Sequence, residues 1–254
     1  MTMPRVVAAE TLDGLAENDP SAMRSRRDLQ RIHRVMGTRM IVTRSLRKLM
    51  DSRPKSRPLR MLELGAGDGS LMLGVARASK GDWPAIELTL LDRQALVSEV
   101  TVANYAGAGW RATSLVGEVF DWAASAEFSP DGAGAAPWDL IVCNLFLHHF
   151  EGRQLHSLLA AIESRTERFF ACEPHRGWLA LAASHLVGAI GANAVTREDA
   201  VLSVHAGFRD AELSQAWPSS GTRWSLDEYS AGLFSHCFCA QRREFAQSDQ
   251  QAMP

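Results

Sequence analysis

Hydrophobic positions change their period along the chain, and the changes mark its elements. Over residues 21–36 apolar side chains recur at Leu29, Ile32 and Met36, a helical spacing that Gly37 breaks. A second helix is predicted over 38–50, on Ile41, Val42, Leu46 and Leu49. Beyond it, short continuous apolar runs alternate with amphipathic stretches. The runs predict strands at 59–64, 86–91, 111–115, 140–143 and 168–172. The stretches between them predict helices at 70–79, 94–106, 152–164 and 177–188, with another near 196–205. Such alternation implies a parallel sheet covered on both faces. At the end, 211–217 and 233–241 read as strands joined by a polar segment without a crossover helix, so they are expected to pair antiparallel. Residues 1–19 lack periodicity and are expected to fray. Residues 51–58, with two prolines, read as a linker, and 129–137 as a surface loop.

Composition narrows the class. A chain of 254 residues that is 46% hydrophobic and 22% charged is one large globular domain or a domain with an appendage. It has no uninterrupted apolar run of about 18 residues and no signal-peptide core, so neither a membrane span nor secretion is expected, and the cytoplasm is the expected location. Cys143, Cys172, Cys237 and Cys239 lie on apolar runs; the Cys-x-Cys pair lacks a second pair to make a zinc site, so buried thiols and no metal are expected. Net charge is −2, yet residues 24–60 hold thirteen Lys and Arg against Asp28 and Asp51. That stretch reads as a solvated helical face, or as a surface for an anionic partner, an acyl-carrier protein or nucleic acid.

Candidate chemistry concentrates where the strand Met61-Leu-Glu-Leu64 runs into Gly65-Ala66-Gly67-Asp68-Gly69 and then into a helix. Glycines at a strand-to-helix turn let the backbone approach a ligand, and the N–H groups of the helix start favour charged or zwitterionic groups. The spacing fits neither Gly-x-Gly-x-x-Gly nor a phosphate loop. With Glu63 before it, the turn resembles motif I of the class I S-adenosylmethionine (SAM) dependent methyltransferases, acid-x-Gly-x-Gly-x-Gly. Three further matches follow in order. Asp92, with Arg93, closes the second strand 29 residues after Glu63, where an acid accepts from ribose hydroxyls. Gly117-Glu118-Val119-Phe120-Asp121 is similar to the segment that frames adenine. Trp138 to Asn144, with Leu145, resembles the motif IV strand.

The resemblance spans about residues 61–243 and implies an α/β fold: a doubly wound, mostly parallel seven-stranded sheet with a C-terminal antiparallel hairpin, preceded by an N-terminal helical lid. It divides the chain into a fraying 1–19, a lid and linker at 20–58, a SAM-binding domain at 59–243 and a tail at 244–254. The cofactor residues it implies are Glu63, Gly65, Ala66, Gly67, Asp68, Asp92, Arg93, Glu118, Val119, Phe120, Asn144 and Leu145.

SAM carries an activated methyl, so the protein must align an acceptor and, for a hydroxyl, take its proton. Leu147-His148-His149-Phe150 resembles the Leu-His-Asp-Trp segment of aromatic O-methyltransferases, with His148 at the base position, His149 in place of the acid and Phe150 in place of the tryptophan. A neutral histidine suits a phenol of pKa about 10. His-His pairs also line pockets in members that methylate carbon or nitrogen, so base, pocket-lining and packed-loop roles stay open for both. Glu173, His175 and Arg176, at another strand end, are candidates for the acceptor pocket, and His33 is read as a surface residue. The Asn-Pro-Pro-Tyr segment expected for methylation of a nucleic-acid base is absent, which disfavours nucleic acid. No cluster of acids and Asn marks a metal-dependent mechanism. The expectation is therefore a SAM-dependent methyltransferase, releasing S-adenosylhomocysteine (SAH), that acts on the hydroxyl of a phenolic or other secondary metabolite. The alternatives are carbon or nitrogen methylation and a catalytically inactive SAM-binding partner protein.

Overall fold

A computed structural model of the chain describes residues 3–50, 57–125, 138–219 and 223–243. The surface loop at 129–137, the tail at 244–254 and most of the predicted linker lie outside the described residues. The strands are β1 (Leu59–Leu64), β2 (Ile86–Asp92), β3 (Trp110–Val116), β4 (Leu140–Asn144), β5 (Arg168–Pro174), β6 (Trp224–Ala231) and β7 (Ser235–Arg242). They form one sheet in the order β3-β2-β1-β4-β5-β7-β6. The first five run parallel, and β7 pairs antiparallel with both β5 and β6. Strand order reverses beside β1, which pairs with β2 on one side and β4 on the other, so a crevice opens beyond their C-terminal ends.

The helices preceding the sheet are α1 (Thr11–Gly14), α2 (Pro20–Met36) and α3 (Thr38–Met50). Within the alternating part lie α4 (Ser70–Ala78), α5 (Glu99–Gly107), α6 (Val119–Ala124), α7 (Gly152–Arg165), α8 (Trp178–His185), α9 (Ala194–Ala206) and α10 (Glu212–Ala216). Alternation along the strands sends neighbours into different layers. Met61 packs with Val42, Leu46, Met72 and Tyr105 on one face, while Leu62 and Leu64 pack with Trp122, Leu158 and Phe169 on the other. α2 begins where the Asp19 carboxylate accepts the N–H groups of Ser21 and Ala22, with Pro20 at the first position, and ends at Gly37 with φ 68°. The four cysteines are buried and free. Among the described residues no helix is long and apolar enough to cross a membrane.

Three local expectations are corrected. The N-terminal segment does not fray: Met3 is buried, and the Arg5 guanidinium donates to the carbonyls of Ala206 (2.8 Å) and Phe150 (2.9 Å). Thr11 and Leu12 add their N–H groups to the Asp199 carboxylate at 2.8 and 3.0 Å. These partners are distant in sequence, so no local period announces them. Residues 211–217 hold helix α10 where a strand was expected, because Glu228 caps the N–H groups of Leu213 (3.0 Å) and Ser214 (2.7 Å). The hairpin partner is instead β6, drawn from the polar segment; Glu228 sits inside it, paired with His236 at 2.8 Å.

Candidate active site

The glycine turn closes β1 and starts α4. Gly65, Gly67 and Gly69 all have positive φ, at 68°, 56° and 71°. A side chain at Gly65 would run into the Phe146 ring, whereas a Cβ at Gly67 would meet no atom of the described residues within 4 Å, and Gly67 borders a cavity. The Asp92 carboxylate holds the turn from β2, accepting the Gly67 N–H at 2.8 Å and the Gln94 N–H at 2.9 Å. Asp68 accepts from Ser70 N–H at 3.0 Å and from the Gln30 side chain of α2. Glu63 is 2% exposed, and its Oε2 has no hydrogen-bond partner among the described residues. Burial, then the charges of Asp68 and Asp92, push its carboxyl well above the usual carboxylate range. A buried acid without a counter-charge is the counterpart of an ammonium group.

The cavity measures about 770 Å³ and lies over the crevice at β1 and β4. Every candidate cofactor residue borders it. Glu63, Gly65, Ala66, Gly67 and Asp68 form its floor, and Asp92 and Arg93 one side. Glu118, Val119 and Phe120, at the start of α6, form another. Asn144 brings a buried Oδ1 without a partner among the described residues, and Leu145 has φ 51°, a left-handed conformation that costs a non-glycine residue about 1–3 kcal/mol.

His148 and His149 border the same cavity from a 3₁₀ turn, Leu147–His149, just beyond β4. Their rings lie 4.2 Å apart, centroid to centroid. His148 is bracketed: Nδ1 is 2.8 Å from Glu173 Oε2 at the end of β5, and Nε2 is 3.3 Å from Glu10 Oε1 of the N-terminal segment. Burial opposes a charge on His148, but the bonds to Glu10 and Glu173 outweigh it and raise its pKa to about 9. Burial alone would raise both carboxyls; the bond to His148 and its charge hold them below the usual range. Burial and the charge of His148 lower His149, whose Nδ1 is 3.4 Å from Asp13 Oδ2. The bonds to two carboxylates thus favour a protonated His148, against the neutral ring expected of a base, while burial and the charge of His148 favour the neutral ring of His149.

Two further expectations change. His33 borders the cavity from α2, its Nε2 buried without a partner among the described residues, and burial brings its pKa down to about 4. Glu173, His175 and Arg176 do not border the cavity. Glu173 lies beneath the 3₁₀ turn, His175 faces Ser230 at 3.4 Å, and Arg176 is buried against Met3 and Gly207 carbonyls and Glu212. Part of the basic stretch is also consumed within the chain. Arg57 forks onto Asp139 at 2.7 and 2.8 Å, Arg31 pairs with Asp28, and Arg26 bonds Gln94 and the Glu17 carbonyl. Sequence reasoning missed Glu10, Asp13 and Ser203, which carry no motif and reach the site through folding alone.

No protein-family model and no curated protein sequence matches the chain. Solved structures do match. The plantazolicin methyltransferase BpumL in complex with SAH is 12% identical over 89% of this chain and 92% of its own, with a TM-score of 0.58. BpumL with a monoazolic desmethylplantazolicin analogue and SAH is 13% identical over 89% and 91%, with a TM-score of 0.59. A Nostoc punctiforme protein provisionally assigned as an O-methyltransferase is 15% identical over 90% of this chain and 63% of its own, at 0.52. Identity at this level speaks of architecture. With its reversal of strand order beside β1 and its β5-β7-β6 closure, the chain has the fold of the class I SAM-dependent methyltransferases.

Proposed function

We propose that the chain is a SAM-dependent methyltransferase acting on a small molecule, through the hydroxyl of a phenolic or other hydroxylated secondary metabolite. One observation carries the reading: a buried, unpartnered Glu63 oxygen and the open side of Gly67 share a cavity with the bracketed His148. These features fit a zwitterionic sulfonium. Glu63 would take its ammonium, the glycine turn would let the chain lie close, and Asp92 would accept from the ribose with its remaining lone pairs. Glu118, Val119 and Phe120 would frame the adenine, with Asn144 and Leu145 beside the reacting end. When bound, SAM supplies a methyl already activated for transfer.

The chain's own residues do the rest. Phe150 meets Phe120 and Phe146 edge-on at 5.3 and 5.2 Å, an apolar wall suited to a flat ring. His149 borders the cavity beside that wall, where its neutral ring can take the acceptor's proton, and His148, on the same border, can do so once it has lost its own. Residues of the N-terminal segment, Glu10 and Asp13 among them, line this end of the cavity. A second reading, transfer to nitrogen, is favoured by Glu10 and Asp13, two carboxylates at the histidines that would attract an amine.

The test has two stages. Calorimetry with SAH should give saturable binding to the wild type and none to Gly67→Val, with far-UV circular dichroism unchanged. Wild type that fails to bind SAH ends the reading. Mass-detected methyl transfer over a panel of phenols, amines and activated carbons then assigns the acceptor atom, and SAH binding without any transfer would point to a partner protein.

A further inference from the structure

The fold treats the two ring nitrogens of His148 differently. Nδ1 faces Glu173, whose side chain is 0% exposed. The same carboxylate accepts the backbone N–H groups of Phe146 (3.1 and 3.2 Å), Leu147 (2.9 Å) and His148 (3.3 Å). Moving it would strip three backbone donors, so this partner is fixed. Nε2 faces Glu10, which is 13% exposed, borders the cavity and lies outside every strand of the sheet. Its segment is tied down on both sides: by Arg5 to the carbonyls of Ala206, Phe150 and His148, and by Thr11 and Leu12 to Asp199. Ser203 of α9 hydrogen-bonds Glu10 itself. With Nδ1 sealed beneath the turn, Nε2 is the nitrogen that a molecule in the cavity can reach.

We propose that Glu10 is a positioning residue for His148: the N-terminal segment lends its carboxylate to the outward nitrogen, and an acceptor's oxygen or nitrogen enters by taking the place of Glu10 as the partner of Nε2. The word acceptor rests on the methyltransferase reading; the contact does not. Among the described residues, the charged groups at His148 include Glu173 from β5, Glu10 from the N-terminal segment and Arg5 on its carbonyl, with the neighbouring His149 facing Asp13; Asp199 of α9 holds the Thr11 and Leu12 N–H groups next to Glu10. Among the described residues Glu10 and Glu173 alone bond the ring, so loss of Glu10 has a specific signature.

The test follows the histidine ring nitrogens by NMR through a pH titration of the full chain without ligand. In the wild type His148 should titrate near 9. In Glu10→Gln its midpoint should fall by about one pH unit or more, since one of two hydrogen-bonded carboxylates is gone. Glu10→Asp, which keeps the charge one methylene back, should give a smaller fall, and matching thermal melts establish that both variants are folded. An unchanged His148 midpoint in Glu10→Gln overturns the proposal. So does a wild-type midpoint that depends on zinc or on its removal by EDTA, because one atom from each of Glu10, His148 and His149 lies within 4.8 Å of the others and the cluster would then be a cation site. Calorimetry with SAH on the same samples keeps the readings apart: wild type that fails to bind SAH ends the methyltransferase reading, while the titration still decides Glu10.

Discussion

Replacing His148 by glutamine should change how stability depends on pH, by an amount the bracket around the ring sets. The folded pKa is about 9 against an ordinary 6.5. A raised folded pKa gives stability that is fully present below the unfolded value and lost as pH rises through the folded one. The gap between 6.5 and 9 is worth about 3 kcal/mol at roughly 1.36 kcal/mol per decade of proton affinity. His148 is 3% exposed, so solvent screening removes little of it. Urea unfolding of wild type and His148→Gln, compared from about pH 6 to above pH 9, should show their stability difference shrinking by about 3 kcal/mol. His33 does not confuse the window, since its lowered value gives stability present above 6.5 and lost as pH falls below it, and His149→Gln measured beside His148→Gln isolates the neighbouring ring. A stability difference that stays constant across this range would refute the bracketed imidazolium.

The same values separate the two histidines in catalysis: a rate that rises with pH through about 9 assigns the acceptor's proton to His148, and one that rises below 6.5 assigns it to His149. If the rings titrate as a pair, the single variants His148→Ala and His149→Ala must each move the limb. Asp92→Ala should weaken SAH binding by about 1.5–3 kcal/mol, the worth of hydrogen bonds to an ionised group, and calorimetry that finds no change would take Asp92 out of the site. It should also lower the melting temperature, because Asp92 accepts from Gly67 and Gln94 N–H in the free protein. An anionic partner at residues 24–60 should bind at low salt and be released as salt screens charge beyond about 8 Å at physiological ionic strength, whereas no binding of an acyl-carrier protein or nucleic acid at low salt would leave a solvated face.

The sheet and the glycine turn were legible because they rest on local regularities. Buried parallel strands are continuous apolar runs, and a backbone that must turn left-handed three times in five residues uses glycine at 65, 67 and 69. Asp92 was singled out by its register with that turn, and Glu118 by the resemblance of residues 117–121 to the segment that frames adenine. The hairpin was legible in kind but not in position: β6 is an edge strand whose Glu228 side chain is buried and hydrogen-bonded to His236 of β7, and a carboxylate at an inward position erases the alternation that would have marked the strand.

What the sequence by itself determined, then, is the scaffold, which chain order and side-chain period fix, and the glycine turn and strand ends that border the cavity, which short motifs mark. What only the tertiary structure decided is the state of the groups inside it. Glu10 and Glu173 stand 138 and 25 residues from His148, and no pattern links them, yet their carboxylates together reverse the effect that burial alone would have on that ring. His33 went the other way: on one face of α2 it reads as a surface residue, and only the packing of that helix over the glycine turn deprives it of water. Protonation answers to distances of a few ångströms and to excluded solvent, and both are properties of the folded chain.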